Sequence, residues 1–82
     1  MKILINLYVP AIQEYYDILV PDFLPVQKII PIIVKVVENL SNHFYVSSGE
    51  EKICFIEQQS VLKNELSLRK NHVQNGDNLM LV

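Results

Sequence analysis

The first strand-like run constrains the fold most. Between Lys2 and Val9, Ile3, Ile5, Leu7 and Val9 share one parity, and Lys2, Asn6 and Tyr8 share the other. That is the period of a strand with one face buried. Leu4 sets an apolar side chain on the otherwise polar face, and Pro10 and Ala11 end the run. Residues 15–20 are Tyr-Tyr-Asp-Ile-Leu-Val, with Tyr16, Ile18 and Val20 on one parity. Their aromatic and β-branched content predicts a second strand. So few residues separate the two that a hairpin is the simplest connection. A hairpin apolar on one face needs another element to cover it.

The covering element follows. Pro21 and Pro25 bracket a connector, and Pro25 suits the first helical position, where its missing N–H costs nothing. Leu24 before it offers no capping side chain. Val26, Ile30, Ile33, Val37 and Leu40 recur at spacings of three and four and form one helical face. Lys28, Lys35, Glu38 and Asn39 fall mainly off it. Pro31 lies inside the pattern, which predicts either a kink or a helix that begins in earnest after it. Ile29, Ile32 and Val36 form a second apolar flank beside the core stripe, with Val34 also outside it. One helix over one sheet needs one stripe, so this flank is a candidate contact face.

Residues 41–51 read as a loop with Ser47-Ser48-Gly49 as its turn signal and Phe44 or Tyr45 as its core anchor. Ile53–Ile56 reads as a third strand and Ser60–Lys63 as a short fourth. Leu66-Ser67-Leu68 opens a compact polar segment with Val73 as an anchor. In Asn75-Gly76-Asp77 the glycine supplies positive φ. Asn78–Val82 then forms a terminal strand, with Leu79 and Leu81 on one face and Met80 and Val82 on the other. The whole is α+β: a sheet of four to five strands with one helix across one face, in a single domain spanning residues 1–82. The helix covers only one side. Leu4, Cys54, Ile56, Met80 and Val82 fall on the opposite parity, where exposed aliphatics exceed what solubility favours.

Composition narrows the function. Half of the 82 residues are hydrophobic and 20% are charged, a balance that argues against disorder. Seven Lys and Arg stand against nine Asp and Glu, and only Arg69 and Lys70 are adjacent. No basic stripe follows a phosphate backbone, and no polybasic patch addresses a membrane surface, so nucleic acid is not an expected partner. The longest apolar stretch, Ile29–Val37, contains Pro31 and Lys35 and is far short of a membrane span, so direct membrane insertion is not expected either. A single cysteine, Cys54, permits no internal disulfide and fits a reducing compartment. No cleavage site follows the N-terminal run, and a cytoplasmic location is expected.

Catalytic chemistry lacks a constellation. His43 and His72 lie far apart in loop-like segments, and no cysteine pair joins them as metal ligands. Cys54 has no neighbouring histidine or cation to lower its pKa. Asp17, Asp22 and Asp77 are isolated, Glu50 and Glu51 read as solvated loop carboxylates, and Gly49 and Gly76 stand alone. No catalytic residue, cofactor or metal site is expected, and the chain reads as a protein-binding domain.

The order of elements resembles the ubiquitin-like β-grasp fold. The resemblance is most specific over Leu66-Ser67-Leu68-Arg69-Lys70-Asn71-His72-Val73-Gln74-Asn75-Gly76-Asp77-Asn78-Leu79-Met80-Leu81, where a short helical turn, a Gly-Asp turn and a final strand follow one another. Pro25-Val26-Gln27-Lys28 at the helix entry and Asp17-Ile18-Leu19-Val20 on the second strand are similar to the YukD/EsaB group. These are small ubiquitin-like proteins of the type VII (Esx/Wss) secretion systems of Gram-positive bacteria. The resemblance implies a cytoplasmic accessory or regulatory protein of export whose partner is a cytoplasmic part of the membrane machine. It also implies partner binding on the open sheet face, which by position means Leu4, Tyr8, Cys54, Met80 and Val82. The residues depart from the ubiquitin pattern after the last strand: Val82 stands where a diglycine-ended tail would begin, so conjugation and sulfur carriage are not expected. Two other readings stay open: a small ubiquitin-like subunit or carrier of a soluble enzyme complex, and a self-associating β-grasp module that forms a homodimer.

Overall fold

A computed structural model describes all residues, Met1–Val82. The elements are β1 (Lys2–Val9), β2 (Glu14–Pro21), α1 (Val26–Leu40), β3 (Ile53–Phe55), β4 (Ser60–Val61) and β5 (Asn78–Leu81). They form one five-stranded sheet in the order β2-β1-β5-β3-β4. The central pair, β1 and β5, is parallel, and the other neighbours are antiparallel. The sheet is mixed, as the ubiquitin-like resemblance implies.

The core lies between α1 and one sheet face. Ile3, Ile5, Leu7 and Val9 of β1 are all buried there, with Ile18 and Val20 of β2, Ile53 and Phe55 of β3, and Leu79 and Leu81 of β5. From the helix come Val26, Ile29, Ile33, Val34 and Val37. Burying these side chains contributes roughly 1.5–3 kcal/mol each, before the entropy of ordering them is subtracted.

Three expectations about the helix need correction. First, it does not start after Pro31: it begins at Val26 and continues past that proline, with Pro25 at the N-cap and not at the first helical position. Its start is held from outside: the N–H of Val26 donates to the Leu66 carbonyl at 2.9 Å, and the N–H of Gln27 to the Asn64 carbonyl at 3.0 Å. Backbone carbonyls from a distant turn thus replace the side-chain cap that Leu24 and Pro25 lack. Second, Ile29 and Val34, both read as lying outside the core stripe, are buried in the core, and Ile29 is unavailable as a contact residue. Stripes through Ile29 or Ile30 satisfy the same three-and-four spacing from Val26, so periodicity alone does not choose between them. Third, Leu40 is largely exposed because it ends the helix beyond the packed stripe.

The long loop is anchored by Tyr45, while Phe44 is 81% exposed. Glu51, expected to be solvated, is buried. Its Oε2 accepts the Tyr45 hydroxyl at 2.7 Å and the Ser48 N–H at 3.0 Å. Gly76 takes the positive φ expected of it, at 89°. Its turn grips β1: the Gly76 N–H donates to the Leu4 carbonyl at 2.7 Å, and Asn75 Oδ1 accepts the Leu4 N–H at 2.8 Å. Asn71 closes the preceding segment, with its side-chain amide donating to the carbonyls of Lys63, Leu66 and Ser67.

Candidate protein-binding face

Strand register, more than any local motif, assembles the face opposite the helix. Tyr15 of β2 stands opposite Tyr8 of β1. Tyr8 stands beside Met80 of β5, Met80 opposite Cys54 of β3, and Cys54 opposite Val61 of β4. Tyr15, Tyr8, Met80, Cys54 and Val61 thus make one unbroken row across all five strands. At the usual strand spacing the row is roughly 19 Å long. No charged side chain interrupts it.

The ends of the row are its most open parts. Tyr15 is 64% exposed and Val61 56% exposed, while Tyr8, Met80 and Cys54 are half-buried by their neighbours. The Tyr15 and Tyr8 rings stack with centroids 4.6 Å apart and planes 29° apart. Such a pair presents a rigid aromatic surface at small entropic cost. Val82, also exposed, continues β5 next to the row and exchanges backbone hydrogen bonds with Lys52 at 2.7 and 2.9 Å.

A polar row bounds this strip on one side. Asp17, Asn6 and Asn78 stand in register on β2, β1 and β5. Asn6 donates its side-chain N–H to Asp17 Oδ1 at 3.0 Å, and Asn78 donates to Glu57 Oε1 at 3.2 Å. Leu4 lies beyond that belt, four residues and roughly 13 Å along β1 from Tyr8. Its partner there is Leu19 of β2.

The residues expected from sequence therefore divide. Tyr8, Cys54 and Met80 come together in the row, and Val82 borders it. Ile56 lies just past the end of β3, its N–H donating to the Asn78 carbonyl at 3.4 Å, so it sits at the polar belt. Leu4 belongs to a second small apolar spot with Leu19. On the helix, Ile32 is 48% exposed, Val36 is partly buried against the core, and Ile29 is inside it. Sequence reading missed Tyr15 and Val61. Each shows as an exposed apolar residue, but only the register reveals that they extend the row.

Two carboxylates elsewhere, Asp22 and Glu51, are buried and serve the fold. Asp22 is buried at the end of β2, where Arg69 reaches both its carboxylate oxygens at 3.2–3.3 Å and the N-terminal ammonium lies 3.4 Å away. Burial pushes the Asp22 carboxyl up, but the Arg69 hydrogen bond and charge and the N-terminus outweigh it, and the pKa falls below the ordinary value. Glu51 behaves likewise: burial raises it, and hydrogen bonds from Ser47, Tyr45 and the backbone bring the net shift down. Burial, then Glu51, drives the Tyr45 hydroxyl well above its usual value, so it remains a donor. His43 and His72 are exposed and adopt left-handed φ of 66° each, serving as turn residues. No three His, Cys, Asp or Glu side chains gather as a metal-binding group. No helix is long and apolar enough to cross a membrane.

Comparison with known proteins agrees with this architecture. The EccD5 ubiquitin-like domain from Mycobacterium xenopi superposes with a TM-score of 0.82 at 19% identity, over 100% of this chain and 93% of that one. The ubiquitin-like domain of the Mycobacterium tuberculosis type VII secretion system protein ECCD1 gives 0.80 at 18% identity, over 100% and 98%. A chain of the MycP5-free ESX-5 inner membrane complex gives 0.84 at 17% identity, over 99% of this chain and 20% of that one. At these identities the likeness establishes the ubiquitin-like fold. No curated protein matches the sequence. The family model for YukD, a protein of the WXG100 protein secretion system (Wss), matches residues 4–81, nearly the whole chain. The chain therefore belongs to the YukD family of type VII secretion.

Proposed function

We propose that the protein is a non-catalytic accessory or regulatory factor of type VII secretion that docks, in the cytoplasm, on a protein component of the membrane machine. The observation that carries this reading is the row Tyr15–Tyr8–Met80–Cys54–Val61, an apolar strip crossing the whole sheet on the face the helix leaves open. A strip of two aromatic and three aliphatic or sulfur-bearing residues, bounded on one side by Asn6, Asn78 and Asp17, has the make-up of an interface core beside a polar border. Membership of the YukD family supports the choice of system, and the similar fold within an ESX-5 inner membrane complex is consistent with a membrane-complex partner.

Affinity capture from detergent-solubilised cells of the source organism tests it, with a Val61→Asp/Met80→Asp variant beside the wild type. The expected result is enrichment of type VII membrane components by the wild type and their loss with the variant. Val61 is solvent-facing, and Met80 lies on the open face, so the variant should stay folded, which circular dichroism checks. Enrichment of a soluble enzyme, or of the chain's own copies alone, would overturn the proposed role.

A further inference from the structure

The sheet ends on one long open edge. β2 is the outer strand and pairs only with β1. The Asp22 N–H donates to the Met1 carbonyl at 2.9 Å, which fixes the ladder's phase. By antiparallel alternation, Val20, Ile18, Tyr16 and Glu14 also turn their backbone groups toward β1. Tyr15, Asp17 and Leu19 therefore turn theirs outward, and none of these groups bonds to another part of the chain. Pro21 takes the next outward position, where its missing N–H costs nothing and closes the edge.

The same three residues carry exposed side chains. Tyr15 and Leu19 are each 64% exposed, with Asp17 exposed between them. Asp17 takes one hydrogen bond, from Asn6, and forms no salt bridge; both ion pairs of the molecule belong to Asp22. Open backbone groups flanked by exposed apolar side chains are a template for strand addition.

A second copy fits this edge poorly. An antiparallel β2–β2 pair that uses all three outward residues sets Tyr15 against Leu19 twice, and Asp17 directly against Asp17. Like charges directly opposite are destabilising. Shifting the register removes that contact only by setting Leu19 against Gln13, outside the strand, or Tyr15 against Pro21, which has no N–H. A foreign strand with a cation at the central position turns the same contact from repulsive to attractive.

We propose that the β2 edge receives a partner segment of the pattern apolar–x–Lys/Arg–x–apolar as a sixth strand, with its cation on Asp17 and its apolar residues on Tyr15 and Leu19. This surface goes beyond the row on the open face and does not depend on which machine that row engages.

Two synthetic peptides test it by amide NMR titration of the full chain: Ser-Val-Thr-Lys-Thr-Val-Ser and the same peptide with Glu in place of Lys. The Lys peptide should give saturable shifts at the Tyr15, Asp17 and Leu19 amides and bind about tenfold or more tightly than the Glu peptide. Asp17→Lys should reverse that preference. Leu19→Pro should abolish binding while sparing the β1–β2 ladder, because the N–H it removes points outward; an unchanged spectrum elsewhere verifies the fold. No saturable shift with either peptide, no charge preference, or undiminished binding by a folded Leu19→Pro variant would overturn the assignment.

Discussion

Glu51 is the residue whose environment differs most from its sequence context. It lies in a polar loop beside Glu50, yet it is buried and receives the Tyr45 hydroxyl. Its pKa and that of Asp22 are both depressed in the fold. A depressed carboxyl contributes stability above its unfolded pKa and loses it as pH falls through the folded one. Stability should therefore be level above about pH 5 and decline steadily below it. Glu51→Gln should lower stability at neutral pH and flatten the acid decline, as urea melts at a series of pH values would record. An acid limb unchanged by the substitution would contradict this assignment. A second test separates two neighbours on the helix. Ile29→Ala opens a core cavity and should cost about 2–5 kcal/mol. Ile32→Ala, at a half-exposed position, should stay within about 0.5 kcal/mol in chemical denaturation. The sequence does not distinguish these two: both are isoleucines at helical spacing, and the sheet's position decides which is covered. The Asp22–Arg69 pair was equally illegible, since 47 residues separate its partners.

Among the elements, β1 was the most legible because strict alternation leaves a strand one face to bury. The hairpin and final strand followed from the same period and from turn residues. The helix start was legible at Pro25 to within one residue, but what holds it was not, because its cap comes from the Asn64 and Leu66 carbonyls and not from adjacent side chains. Pro31 misled for a related reason. Its cost is real, but tertiary packing of Val26, Ile29 and Ile33 on both sides of it outweighs that cost. The Gln27 carbonyl is left without its intrahelical N–H donor. Pro31→Ala restores that hydrogen bond at an exposed site and should stabilise the protein by roughly 1–3 kcal/mol. A thermal melt measures it, and a fall in Tm would show that Pro31 fits its place better than the helix geometry implies.

Across the whole molecule, the candidate binding face is a product of topology. Residues 15, 8, 80, 54 and 61 meet only because β5 inserts between β1 and β3. Sequence parity named Tyr8, Cys54 and Met80 for this face but also admitted Leu4, since parity gives the side of a sheet and not the position along a strand. Register then divides the face into an apolar strip, a polar belt and a small Leu4–Leu19 spot. The strip is expected to contact the partner directly. Photo-crosslinking in cells of the source organism, with a crosslinking residue at position 61 on the strip or at position 32 on the exposed helix flank, reads that contact. The predicted result is an adduct with a type VII membrane component from position 61 and none from position 32. Adducts from position 32 alone would move the interface to the helix, and a soluble enzyme crosslinked from position 61 would remove the protein from the secretion machine.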